Sequence, residues 1–232
     1  MAKEVYTTLE GGGILWNASG VLGEYLAAKR KEDIAGKHVL ELGAGLGHLS
    51  LALARMGAHV TTTESACEKG GGDACACWGC LEQLRRSLVS QLGEGHDALD
   101  AGKRVKVARG EGSSGAEGSV RVVELAWGPE AYQRPGALKA EADGGEKVEG
   151  LVMSEVVYNQ AEESLYDDEF HDNLAWTVEK FLSRPGAVGY NVFVDRPFSF
   201  MFFAKLQELP GRPFEVRFTF TGSCDARRKR HH

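Results

Sequence analysis

Ten residues constrain the fold more than any others. His38 to Gly47 reads HVLELGAGLG, with Val39, Leu40 and Leu42 leading into Gly43, Gly45 and Gly47. The next segment places Leu49, Ala52, Leu53 and Met56 at i, i+3, i+4 and i+7, the spacing of one apolar helical face. A buried strand, a glycine turn and an amphipathic helix in that order open a parallel α/β sheet. The turn brings backbone N–H groups and a helix N-terminus to the carboxyl end of the strand, where such sheets hold their ligands.

The rest of the chain continues the alternation. Residues 1–13 read as irregular. A helix precedes the first strand, with Val21, Leu22, Tyr25 and Leu26 on one face and Lys29, Arg30 and Lys31 at its end, where cations suit the helix dipole. Gly57 ends the helix after the turn. Residues 58–64 (AHVTTTE) form a second strand, rich in β-branched residues and ending on Glu64. Leu81, Leu84, Leu88 and Leu92 mark another helix, residues 119–128 a third strand and 148–158 a fourth. The fourth is almost continuously apolar, as a strand buried on both faces should be. A helix over 162–183, a strand over 187–195, a helix through Phe202, Phe203, Leu206 and Leu209, and a strand over 214–220 complete the pattern. We expect one domain over residues 1–232, with flexible insertions at 65–80, 93–118 and 129–147.

Composition narrows the function classes. The 232 residues are 43% hydrophobic and 26% charged, enough for an ordinary globular core. A net charge of −6 argues against broad nucleic-acid binding. The basic run Arg227, Arg228, Lys229, Arg230 reads as a solvated end. No apolar run reaches the ~18 residues of a membrane span, and the N-terminus lacks the apolar core of a signal peptide. Five cysteines, an odd number, fit a reducing compartment. The expectation is a soluble monomer in the cytoplasm, with the nucleus as the alternative, and with neither membrane nor nucleic acid as partner.

The turn has three candidate ligands. A phosphate loop needs Gly-Lys-Ser/Thr after the turn, and none is present. The dinucleotide fingerprint Gly-x-Gly-x-x-Gly places its third glycine at position 48, which is His48; glycine falls at 47 instead. Glu41 stands two residues before the first glycine, where its charge would repel a pyrophosphate. S-adenosylmethionine carries a sulfonium and an ammonium and tolerates a carboxylate. Glu64, at the end of strand two, can accept both ribose hydroxyls; its bland reading is a solvated strand end. Together Glu41, the glycine spacing and Glu64 favour S-adenosylmethionine.

Four separated blocks then match one family in order: ILWNASGVLGEYL, KHVLELGAGLGHLSLALARMGAHVTTTE, ELAWG and SEVVY. The chain resembles the seven-stranded protein lysine methyltransferases of methyltransferase family 16. The resemblance implies a Rossmann-like (class I) α/β sheet with helices on both faces and methyl transfer from S-adenosylmethionine to a lysine of a protein substrate. It implies that Glu41, Gly43, Gly45 and Gly47 shape the methionine end of the cofactor pocket, that Glu64 holds the ribose, and that Trp127 lies by the adenine. It also implies that Trp16 closes the amino-acid end and that Ser154 falls on the cofactor side. Glu155 and Tyr158, the ends of the Asp/Glu-x-x-Tyr motif, would line the mouth where the amine meets the methyl group. The family's Leu-Asp-Trp-Gly block has Ala126 in its acidic position here, which removes a hydrogen bond on the adenine side.

Three features lie outside this assignment. Cys67, Cys75, Cys77 and Cys80 have the spacing C-x7-C-x-C-x2-C; four thiolates can bind zinc, but the paired knuckles of common sites are missing, and free thiols are the preferred reading, with no metal. Glu162, Glu163, Asp167, Asp168, Glu169 and Asp172 read equally as carboxylates suited to a helix start and as attraction for a basic substrate. Finally, such sheets close with an antiparallel hairpin, and only its first strand, 214–220, is visible, so the last strand is expected to be missing. Two competing functions remain: methylation of another nitrogen, in histidine or arginine, since neighbouring families share this core, and a cofactor-binding module without catalysis, which the missing strand motivates.

Overall fold

The computed structural model describes residues 3–10, 18–66, 81–93, 97–99, 102–109, 116–133, 147–157, 168–182, 185–194, 199–209 and 214–220. Eight strands form one sheet: β1 (Lys3–Glu10), β2 (His38–Leu42), β3 (His59–Glu64), β4 (Val105–Val107), β5 (Gly118–Glu124), β6 (Gly150–Ser154), β7 (Val188–Val194) and β8 (Phe214–Phe220). Their order is β4-β5-β3-β2-β6-β7-β1-β8. Every pairing is parallel except β4 with β5. The helices are α1 (Ala18–Lys29), α2 (His48–Arg55), α3 (Leu81–Leu92), the single turn α4 (Pro129–Tyr132), α5 (Asp168–Phe181) and α6 (Ser199–Glu208).

Two apolar layers sandwich the sheet. Val39, Val60, Val120, Val122, Val152 and Val192 face Leu22 and Leu26 of α1, Leu49 and Leu53 of α2, and Leu84 and Leu88 of α3. The opposite face packs Leu40, Leu42, Leu151, Met153 and Phe193 against Leu174 and Val178 of α5 and Phe202, Phe203 and Leu206 of α6. The doubly wound architecture expected from the alternation is therefore present, and β2 and β6 lie side by side at its centre.

Two segments differ from the sequence expectation. Residues 3–10, expected to be irregular, form β1, which pairs in parallel with β7 on one side and β8 on the other. The slot where an antiparallel closing strand was expected is thus filled by the N-terminal segment. Val5, Tyr6, Thr7 and Thr8 are good strand formers, but their conformation depends on a two-sided slot built ~190 residues later, a tertiary effect. The span 93–118, expected to be a flexible insertion, contains β4, whose Val105 and Val107 are buried. Alternation over three residues is too short to register as a strand.

At the amino ends of the strands, Arg30 Nε donates to Asp33 (2.6 Å) and to the Tyr190 hydroxyl (2.9 Å), and that hydroxyl donates to Asp33. Burial and the Asp33 carboxylate push the Tyr190 phenol well above its usual value. This network ties the end of α1 to β7. A cleft of about 580 Å³ beside it is lined by Glu32, Asp33, Lys37 and Glu149. It lies at the wrong end of a parallel sheet for a nucleotide ligand.

Candidate active site

Gly43, Gly45 and Gly47 all adopt positive φ (64°, 57° and 75°), a region L-residues rarely occupy. Three supports hold the turn they form. Ala44 N–H donates to the Thr63 carbonyl at 3.0 Å. The Leu46 carbonyl accepts from Ser87 Oγ (2.8 Å) and Gln91 Nε2 (3.1 Å) of α3. A Cβ on Gly43 would come within 2.6 Å of Val156 Cγ1, and one on Gly47 within 2.7 Å of Leu88 Cδ2. Gly45 is different: nothing lies within 4 Å of where its Cβ would point. The middle of the turn therefore offers backbone to open space, which is what a closely approaching ligand needs.

Glu64 stands against this opening. Its Oε1 accepts the Gly45 N–H at 2.7 Å and its Oε2 the Ser65 N–H at 3.3 Å. Burial raises its pKa to about 7, and the two backbone donors oppose the rise. Each carboxylate oxygen has a second lone pair free to accept a hydroxyl. Glu64 is thus bound to the turn before any ribose arrives.

Glu41 is placed otherwise than a pocket-lining residue. It is 1% exposed and accepts a short hydrogen bond from Ser50 Oγ of α2. Burial lifts its pKa to about 8; the Ser50 hydrogen bond lowers it and the charge of Glu64 adds to the rise. Burial thus favours the neutral form of this carboxyl, which lies under the helix and ties α2 to the strand through Ser50. Ser50 had no individual signal beyond being the one serine within an otherwise apolar helix face, nine residues after Glu41.

Trp127 reaches the same turn, with its Cζ2 3.4 Å from a Cβ built on Gly43 and its ring edge-on to Phe170 at 5.3 Å. The neighbouring Gly128 N–H donates to Thr177 Oγ1 of α5 at 2.9 Å, and this pins the indole's loop. Ser154 ends β6, half-buried and in register with Val192. Glu155 follows at φ 56° and donates its N–H to the Val192 carbonyl at 2.8 Å. It is the one non-glycine residue at positive φ among the described residues. A glutamate held there costs about 1–2 kcal/mol, and such strain concentrates where a side chain must be aimed.

The site thus joins Gly43, Gly45, Gly47, Glu64 and Trp127 around one turn, with Glu41 beneath it and Ser154 and Glu155 at the next strand end. Trp16 and Tyr158 lie outside the described residues, as do the four clustered cysteines and Glu162, Glu163 and Asp167. Among the described residues, no group of three or more metal-ligating side chains occurs, and no helix is long and apolar enough to cross a membrane.

Comparison with known proteins adds to this geometry. Residues 2–68 match the family described as "Lysine methyltransferase". Over 178 residues the chain is 30% identical to the protein N-terminal and lysine N-methyltransferase EFM7 of Yarrowia lipolytica, covering 76% of this chain and 55% of the relative. Over 175 residues it is 27% identical to the protein of the same name in Emericella nidulans, covering 75% and 53%. The chain spans about half the length of the curated relatives it matches.

Proposed function

We propose that this chain, which is similar to proteins of the lysine methyltransferase family, transfers a methyl group from S-adenosylmethionine to a primary amine of a protein substrate. The observation that carries the reading is the open Gly45 with its N–H held by Glu64. The residues fit the cofactor: a backbone face without side chains, a carboxylate at the ribose position, and the Trp127 ring against the turn.

Bound S-adenosylmethionine supplies an electrophilic methyl group on a sulfonium. The chain's own work is alignment and exclusion of water. Glu64 fixes the turn and offers its remaining lone pairs to the ribose hydroxyls. Trp127 covers the adenine side. Glu155, aimed by its strained backbone, orients an incoming amine through an N–H, and Tyr158 is proposed as its partner at the mouth. The amine must arrive neutral, since a protonated nitrogen has no lone pair to attack with.

That requirement separates two acceptors. A lysine ε-amine has a pKa of ~10.4 and must be partly desolvated to lose its proton, whereas a protein α-amine at ~7.7–8.0 is already substantially neutral at physiological pH. The relatives' names print both classes, and lysine with the α-amine as a second acceptor is the reading they support. Histidine and arginine nitrogens gain no support from those names. Incubation with labelled S-adenosylmethionine and a protein extract, followed by mass spectrometry of the modified residue, tests this. Label on lysine or on an N-terminal amine is expected. Label on histidine or arginine, or cofactor binding without transfer, overturns it.

A further inference from the structure

Two large apolar side chains stand in solvent among the described residues, and they are neighbours: Phe200, 43% exposed, and Met201, 36% exposed. Both sit in the first turn of α6. The helix buries Phe202, Phe203 and Leu206 against the sheet. Isolated surface hydrophobics need no explanation; these two are adjacent and lie at the rim of the candidate site.

Their place in the fold is specific. The α6 helix follows β7, so its first turn lies at the carboxyl end of the sheet, with the glycine turn and Glu155. Glu155 N–H meets the Val192 carbonyl. The next residue, Phe193, holds the Phe200 ring edge-on at 5.9 Å. From Phe193, ring contacts run through Phe203, Phe202, His171 and Phe170 to Trp127. Phe200 is therefore joined to an aromatic layer that ends at Trp127, beside the glycine turn. Beside it, α5 begins at the same end of the sheet and packs on the same face. Its Glu169 is exposed, and Asp172, also exposed, pairs with Lys205 of α6. With Asp172 already paired to Lys205, Glu169 is the exposed carboxylate of α5 that the argument uses, and an apolar pair beside it complements a segment that is apolar and basic.

We infer that Phe200 and Met201 form the apolar half of the substrate-docking surface, and that its occupant is an extended segment of the protein substrate. That segment carries an apolar side chain beside the target amine and basic residues beyond it. The inference rests on the methyl-transfer reading and adds the chemistry of the acceptor's neighbours. An apolar contact of this kind changes affinity by ~10-fold or more, and aromatic residues dominate such contacts.

Two fluorescein-labelled peptides test it with the full chain: one with leucine on both sides of a lysine followed by arginine, the other with serine in place of leucine. Fluorescence anisotropy reads docking. Mass spectrometry of the same mixtures with S-adenosylmethionine reads transfer, so the two readings fail separately. The wild-type chain should bind the leucine peptide about tenfold more tightly than the serine peptide. The double variant Phe200→Ser/Met201→Ser should lose that preference while cofactor affinity stays unchanged, and Phe200→Leu should retain most of it. Equal binding of the two peptides by the wild type overturns the proposal, as does undiminished leucine-peptide binding by the double variant. A wild-type dimer that the double variant dissolves also overturns it, because the patch would then belong to a second copy. Docking without transfer to any lysine or α-amine would instead count against the methyl-transfer reading.

Discussion

On the proposed reading the sheet has a cofactor half and an acceptor half, and the two are held together differently. Around β2, β3 and β5 the supports are backbone-centred and close in sequence: Gly45 to Glu64, Ala44 to Thr63, and Leu46 to Ser87. Around β6, β7, β1 and β8 the neighbours come from opposite ends of the chain, with Lys3–Glu10 filling the slot between Val188–Val194 and Phe214–Phe220. The first half is a cradle fixed by these hydrogen bonds, and the proposal assigns the cofactor to it. The second is assembled by topology and displays side chains, which suits a partner that differs from one enzyme to the next.

If the cradle is that tight, substitutions inside it should be the most damaging. Gly43→Ala meets Val156 Cγ1 at 2.6 Å and strains a φ of 64°, so it should cost about 3–4 kcal/mol by chemical denaturation. Gly45→Ala, with open space around it, should cost only about 1 kcal/mol yet weaken cofactor binding. Equal losses would remove the distinction between supporting and ligand-facing glycines.

Next in size is a proline in β1. Thr7→Pro removes a ladder donor from a strand paired on both sides, a change worth about 3 kcal/mol. Hydrogen exchange should rise in residues 214–220 and much less in 39–42. Uniform loss of protection would mean that the two halves do not behave as separate units.

A third effect is pH-dependent. With the Glu64 pKa raised to about 7, the carboxylate is mostly ionised at pH 8 and mostly protonated at pH 6. Cofactor Kd should therefore rise about tenfold over that fall in pH, and Glu64→Gln should flatten the profile. For stability the sign runs the other way. A carboxyl whose folded pKa is raised to about 8, as in Glu41, costs nothing below its ordinary 4.5 and costs most once pH exceeds 8. Glu41→Gln should gain stability relative to wild type between pH 5 and pH 9, measured by thermal unfolding. A constant difference contradicts the burial of an ionisable Glu41.

The smallest effect concerns Glu155. Glu155→Gly relieves a φ of 56° and should stabilise the chain by about 0.5–1 kcal/mol while lowering kcat/KM for the amine substrate. A loss of stability would show that the side chain's contacts outweigh the backbone strain.

The two halves were also unequally legible in the sequence. The turn could be read because strand, glycines and helix are contiguous, and each has its own periodicity. Glu64 could be read because it ends a β-branched strand one helix later. Glu41 is legible as a residue but its partner is not, since the hydrogen bond comes from Ser50 on the next helix. The strand at Lys3–Glu10 was missed because nothing local demands it; only the gap between β7 and β8 does. Phe200 and Met201 carry no signal that sets them apart from the apolar residues after them, since a sequence does not show which turn of a helix overhangs the sheet.

The central claim is that the turn and Glu64 together hold S-adenosylmethionine. Calorimetric titration of the cofactor into the wild-type chain and into Glu64→Ala tests it most directly. One site per chain is expected in the wild type, weakened at least about tenfold in the variant. No binding by the folded wild type, or equal binding by both proteins, would contradict it.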